Sequence, residues 1–93
     1  MNDNFDEFRA RIEAEIAQAY EAGKISKEFE PYFEWKATGA IPTLQQLLTM
    51  ESQAATEREI IWESEQPDPR LELYYDYLAA ELVRLEKHYR TSR

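Results

Sequence analysis

The side chains of this chain that could do chemistry are nineteen carboxylates and a single histidine, His88, with no cysteine among them. A di-metal site in a helical bundle needs a Glu-x-x-His motif on each of two helices, together with further inward glutamates. His88 has Leu85 instead of a glutamate three residues before it, and one histidine cannot supply two such motifs. We therefore expect no metal site, and we interpret His88 as a helix-end residue that interacts with the helix dipole.

The same residues give no specific indication of catalysis. Nineteen acids can be paired in many ways, so any particular pair is better explained as part of a solvated helix face. The two glycines, Gly23 and Gly39, are each explained as the end of a helix and do not indicate a phosphate-binding loop. We expect a protein that is not an enzyme and needs no cofactor. An enzyme or carrier with a pocket inside a helical bundle is the least favoured alternative.

Residues 28–35 combine acids with four aromatic side chains, more than a minimal helical core needs. On a helix that begins near Pro31, Tyr32 and Trp35 share one side, while Phe33 is displaced by about 100° per residue. Some aromatic surface should therefore remain accessible, and such residues are favoured anchors at interfaces. We predict Tyr32, Phe33 and Trp35 as partner-binding residues. The alternative, in which these aromatics close the end of the bundle as core residues, stays open.

A second aromatic cluster consists of Tyr74, Tyr75 and Tyr77. Tyr77 falls on a different side of its helix from Tyr74 and Leu78, so we predict it as a fourth partner-binding residue. The alternative is core or dimer contact, because a helix that touches two neighbours needs a broad apolar face without any ligand.

The charge of the chain restricts its partners. The net charge is -8, and residues 1–69 contain 15 acidic and 6 basic side chains. This field would repel phosphates and anionic lipids, so we expect neither direct nucleic-acid binding nor membrane binding. No stretch approaches the apolar length of a membrane span, and a cysteine-free chain fits a reducing compartment, so we expect a cytoplasmic protein.

Apolar residues recur at spacings of three and four, which predicts an all-α fold. We predict three long helices over about 5–22, 44–65 and 69–90, and a short helix over about 31–38. Residues 1–93 form a single all-helical domain in this prediction, since a chain of this length has only one thin core.

Local signals mark several of these helix ends. Thr43 and Gln46 match a capping box, in which the hydroxyl accepts from the third helical amide and the glutamine side chain reaches back. Asp68 followed by Pro69 is typical of a cap and first helical residue. A helical turn that starts near Ser26 is predicted ahead of the short helix.

Three apolar stripes indicate which helix faces are buried. In the first helix the stripe is Phe5, Phe8, Ile12, Ile16 and Tyr20. In the helix over 44–65 it is Leu44, Leu47, Leu48, Ala54, Ala55, Ile61 and Trp62, with adjacent pairs repeating every seven residues. In the last helix it is Leu71, Tyr74, Tyr75, Leu78, Leu82, Leu85 and Tyr89.

Residues 44–90 are therefore predicted to form a long antiparallel helical hairpin, on which the small helical bundle is built. Two long helices have two flanks, and the N-terminal and short helices cover one of them. A homodimer that closes a four-helix core is a natural way to cover the other.

These features favour a small acidic protein–protein interaction module, such as a regulator, an inhibitor or an assembly adaptor. Its charge would steer a basic partner, and Tyr32, Phe33 and Trp35 would supply the desolvated centre of the contact. One version is mimicry of nucleic-acid charge in the groove of a nucleic-acid-binding protein. The alternative is a structural homo-oligomer subunit with no separate ligand.

Overall fold

Four α-helices and one 3₁₀ turn form the fold in the computed structural model, which describes the backbone of residues 3–91 and the side chains of residues 5–90. The elements are α1 (Asp3–Glu21), the 3₁₀ turn (Lys27–Phe29), α2 (Glu30–Thr38), α3 (Leu44–Glu63) and α4 (Pro69–Thr91). The predicted all-α fold of three long helices and one short helix is therefore confirmed, and each predicted helix end lies within two residues of the observed end.

The helix ends form where the local sequence satisfies the free backbone groups. Gln46 N donates to Thr43 Oγ1 at 3.1 Å and Thr43 N donates to Gln46 Oε1 at 2.9 Å, which confirms the capping box. At the start of α4, Arg70 N donates to Asp68 Oδ1 at 3.0 Å. Glu28 N donates to Ser26 Oγ at 3.2 Å, so the predicted turn near Ser26 is also present.

The hairpin of α3 and α4 is the centre of the fold, and the two helices pack closely against each other. The 3₁₀ turn docks on this hairpin, because Ser26 N donates to Tyr75 Oη at 3.2 Å and the ring of Phe29 lies 5.7 Å from that of Tyr75. Helices α1 and α2 lie on the same side. The shared core contains Ile12, Ile16, Ala19, Ile25, Phe29, Tyr32, Leu47, Met50, Ala54, Ile61, Tyr75, Leu78, Leu82 and Leu85.

The predicted buried stripe of α3 is wrong for four of its seven residues. In each adjacent pair the first residue is buried and the second is exposed: Leu47 is 0% exposed, Leu48 is 52% exposed, and Trp62 is 77% exposed beside the buried Ile61. Consecutive residues point about 100° apart, and α4 with the N-terminal elements covers only one of the two directions. The predicted core residues that the structure places at the surface of α3 are Leu44, Leu48, Ala55 and Trp62.

The stripe of α1 is also only partly buried. Ile12 and Ile16 are in the core, whereas Phe5 and Phe8 are exposed. At this end of α1, Arg9 forms an ion pair with Glu81 of α4, and its guanidinium carbon lies 6.0 Å from the centroid of the Phe5 ring.

Candidate interaction surfaces

Tyr77 lies at the centre of a polar cluster that joins three helices. Tyr77 Oη donates to Glu13 Oε2 at 2.6 Å and accepts from Arg9 Nε at 3.3 Å. Lys36 Nζ of α2 donates to the same Glu13 oxygen at 3.0 Å. The hydroxyl of Tyr77 therefore connects α4 to α1 and, through Glu13, to α2. The side chain of Tyr77, which the sequence predicted as a partner-binding residue, is thus half-buried within this cluster.

The protonation states in this cluster favour a fixed hydrogen bond. Burial acts to raise the pKa of Glu13, but the hydrogen bonds from Tyr77 and Lys36 outweigh it and hold that pKa below its ordinary value. Burial, followed by the hydrogen bond to Glu13, raises the pKa of Tyr77 to about 12. Around neutral pH the carboxylate is therefore charged and the phenol is protonated, so the donor and acceptor roles do not change.

Tyr32 lies behind this cluster and does not form part of the surface. Its side chain is only 2% exposed, and burial, followed by the nearby carboxylates of Glu81 and Glu13, raises the pKa of its hydroxyl. That hydroxyl has no hydrogen-bond partner within residues 5–90. The structure therefore places the ring of Tyr32 in the core, with almost no area accessible to a partner, and its partner-binding role stays a prediction.

Phe33 and Trp35 keep part of their area in solvent. The Phe33 ring stacks on Tyr20 of α1 with ring centroids 4.2 Å apart and an interplanar angle of 25°. Ala17 and Ala37 line a shallow depression beside this stack. We call the surface formed by Ala17, Tyr20, Phe33 and Ala37 the aromatic face. Trp35 packs against Tyr32, and Lys36 Nζ lies 5.2 Å from its ring centroid.

Carboxylates surround the aromatic face. Glu21, Glu30 and Glu34 are exposed, and none of them forms an ion pair with any residue whose side chain the structure describes. Glu21 and Glu30 both line the surface around Tyr20. Lys27 lies close by, and Lys36, which is paired with Glu13, lines the same depression, so the two lysines offset part of the charge. The face therefore combines a flat aromatic contact with carboxylates that have no cationic partner among the side chains of residues 5–90.

A second surface follows the length of the hairpin on the side that α1 and α2 do not cover. From α3 it presents Leu48, Ala55 and Trp62, which repeat every seven residues, preceded by Leu44. From α4 it presents Asp76, whose Oδ1 lies 2.8 Å from Arg58 Nε. We call this surface, centred on the exposed stripe of α3, the hairpin flank. The spacing of its apolar residues predicted that they belong to the core, whereas the structure places them at the surface.

A pair of carboxylates lies within the hairpin flank. Glu51 Oε2 is buried without a hydrogen-bond partner among the described side chains, and Glu86, which is paired with Arg90, faces it from α4. Burial, followed by the proximity of Glu86, raises the pKa of Glu51. Two carboxylates can share a hydrogen bond only when one of them carries a proton. Sequence reasoning missed this pair, because glutamates on a helix are expected to face water.

The described part of the chain contains no group of three or more His, Asp or Glu side chains arranged to hold a metal ion. Within residues 3–91, no helix combines the length and the apolar run that crossing a membrane requires. Comparison of the chain with protein-family models, curated proteins and solved structures returned no match.

Proposed function

We propose that this protein is a small acidic protein–protein interaction module that acts as a regulator, an inhibitor or an assembly adaptor. The observation that carries this proposal is the partly exposed Tyr20–Phe33 stack with Glu21 and Glu30 beside it and Glu34 next to Phe33 in the chain; none of these carboxylates forms an ion pair within residues 5–90. In a cysteine-free chain, a cytoplasmic site of action is part of the proposal.

The partner expected at the aromatic face is a protein with a basic surface. Exposed carboxylates increase the encounter rate with lysine and arginine side chains, whereas the rigid aromatic stack supplies contact area at a low cost in conformational entropy. Arginine is especially suitable, because its planar guanidinium can pair with a carboxylate and stack on a ring. Phe33 is the predicted partner-binding residue that fits this role best, and Trp35 lies next to it.

The partner can be sought by affinity purification of the tagged protein from its native cell. Replacing Glu30 and Glu34 together by lysine should abolish recovery of the basic partner. The matched control replaces Glu63 and Glu65 by lysine, because these exposed acids are not among the residues that line the surface around Tyr20 and give the same change in net charge. If both double variants recover the same proteins, the proposed surface is wrong.

Salt and polyanions test the version in which the acidic surface mimics nucleic acid. If the partner is a nucleic-acid-binding protein, excess DNA or RNA should displace it, and binding should weaken steeply as salt is raised. A basic partner that does not bind nucleic acid would show the salt dependence without the displacement.

A second candidate function, a structural homo-oligomer subunit, is favoured by a different observation. The hairpin flank exposes Leu48 and Trp62 to solvent, and exposed rows of apolar residues are typical of surfaces that contact another protein. This function would not need the aromatic face, so the variants at Glu30 and Glu34 separate the two candidates.

A further inference from the structure

The residues of the hairpin flank are arranged symmetrically about Ala55. Leu48 lies seven residues before Ala55 and Trp62 lies seven residues after it, which places each about 10.5 Å from Ala55 along the helix axis. All three point in nearly the same direction from α3, because seven residues complete almost two full turns. The stripe therefore has a small residue at its centre and a large apolar residue on each side.

Two charged residues of α3 beside this stripe, Glu51 and Arg58, follow the same symmetry with opposite signs, although Glu59, Glu72 and Glu86 also line the flank. Glu51 lies four residues before Ala55 and Arg58 lies three residues after it, at about 6.0 Å and 4.5 Å along the axis. When two copies of α3 run antiparallel across Ala55, Glu51 of each copy lies beside Arg58 of the other. Leu48 of each copy then lies beside Trp62 of the other, so the surface complements itself in both shape and charge.

We propose that the hairpin flank is the interface of a symmetric homodimer, in which the α3 helices of two copies pack antiparallel with Ala55 nearest the two-fold axis. The methyl side chain of Ala55 lets the two helix backbones approach closely at the centre, and the two hairpins together form a four-helix core. This inference goes beyond the interaction-module function, because it uses a different surface and leaves both aromatic faces open.

A second copy fits this flank better than a basic partner does. Arg58 is half-exposed and already near Asp76, but its guanidinium has further N–H groups that can reach a carboxylate on the opposing helix. A basic partner would instead bring cations against Arg58 at the middle of the stripe. Two copies that each carry a net charge of -8 repel each other over longer distances, so screening should favour the dimer.

Cysteine cross-linking gives a direct test, because the chain contains no native cysteine. Ala55→Cys should form an intermolecular disulfide under mild oxidation, since Cβ atoms about 4 Å apart allow the bond. Leu48→Cys alone should not, because the two copies of residue 48 lie about 21 Å apart along antiparallel axes. Cross-linking at both residue 48 and residue 55 would indicate a parallel arrangement, and cross-linking at residue 48 alone would place the two-fold axis near residue 48. Either result would overturn the proposal.

Sedimentation velocity over a range of concentrations should show a monomer–dimer equilibrium for the wild-type chain. Leu48→Glu should weaken the dimer about tenfold or more, because it places a carboxylate in the apolar row. Ile60→Glu is the matched control: Ile60 is 57% exposed on the same helix but points away from the flank, so this variant should dimerise like the wild type. Raising sodium chloride from about 50 to about 500 mM should tighten the dimer.

A concentration-independent monomer up to about millimolar protein would overturn the dimer. Equal weakening of the dimer by Leu48→Glu and Ile60→Glu would also overturn it. The same holds if the wild type is a monomer and Leu48→Glu abolishes the recovery of a different protein. Circular dichroism should confirm that Leu48→Glu stays helical, and the Ala55→Cys experiment remains decisive if that variant does not fold. Replacing Glu30 and Glu34 by lysine should leave the dimer unchanged in sedimentation. An absent dimer would therefore refute only the dimer proposal, and unchanged recovery of the basic partner would refute only the proposed role of the aromatic face.

Discussion

The hydroxyl of Tyr77 donates a hydrogen bond to the carboxylate of Glu13 at 2.6 Å, which joins α4 to α1. The acceptor is charged and partly buried, and a hydrogen bond of this type contributes more to stability than one between neutral groups.

Tyr77→Phe should therefore lower the free energy of unfolding by about 1 to 3 kcal/mol, because the partly buried Glu13 loses one of its two hydrogen-bond donors and keeps only Lys36. Urea denaturation followed by circular dichroism measures the change. Tyr20→Phe is the control, since no hydrogen bond of the Tyr20 hydroxyl is present among the described residues, and it should change stability by less than about 0.5 kcal/mol. Equal losses in the two variants would contradict the role assigned to Tyr77.

Glu51→Gln should raise the melting temperature at neutral pH. The pKa of Glu51 is higher in the folded protein than in the unfolded chain. The protonated side chain therefore stabilises the fold at pH values below its unfolded pKa, and this stabilisation is lost as the pH rises through its folded pKa. As the pH rises through the folded pKa, the carboxylate of Glu51 becomes charged while it faces Glu86, and a neutral amide at this position removes that repulsion and can donate a hydrogen bond to Glu86.

Thermal melts of wild type and Glu51→Gln at pH 7 and at pH 4 provide the measurement, at protein concentrations low enough to keep the chain monomeric. The difference in melting temperature should shrink at pH 4, where the wild-type carboxyl gains a proton. Glu63→Gln, an exposed site, should show no such dependence. A wild-type chain that is more stable than Glu51→Gln at pH 7 would refute the prediction.

Leu47→Ala should cost about 2 to 5 kcal/mol of stability, because it opens a cavity at a fully buried site. Leu48→Ala removes the same atoms from the adjacent residue, but half of that side chain is already in water, so its cost should be below about 1 kcal/mol. Chemical denaturation at low protein concentration compares the two monomers. Similar losses would mean that Leu48 is buried within the monomer.

Thr43→Ala should destabilise the fold by about 1 kcal/mol, because the amide of Gln46 loses its acceptor at the start of α3. For a chain of this size, the melting temperature should fall by about 4 to 8 °C. Thr49→Ala, at an exposed position inside α3, provides the control and should not lower the melting temperature. If both variants melt alike, the capping box contributes nothing measurable.

The sequence by itself determined the helices and where they begin. The Thr43–Gln46 box and the cap at Asp68 each act within three residues, so their effect can be inferred without knowing the rest of the fold. The periodic stripe of α4 was equally informative, because Leu78 and Leu82 face the hairpin as their spacing predicts.

Only the tertiary structure decided which apolar and charged residues of each helix are covered. Periodicity gives the direction of a side chain around its helix axis, but burial depends on whether another helix occupies that direction. This is why Leu47 is buried and Leu48 is not, and why the ring of Tyr32 lies in the core. The same holds for Glu81, which is 5% exposed and forms ion pairs with Arg9 of α1 and with Arg84 of its own helix.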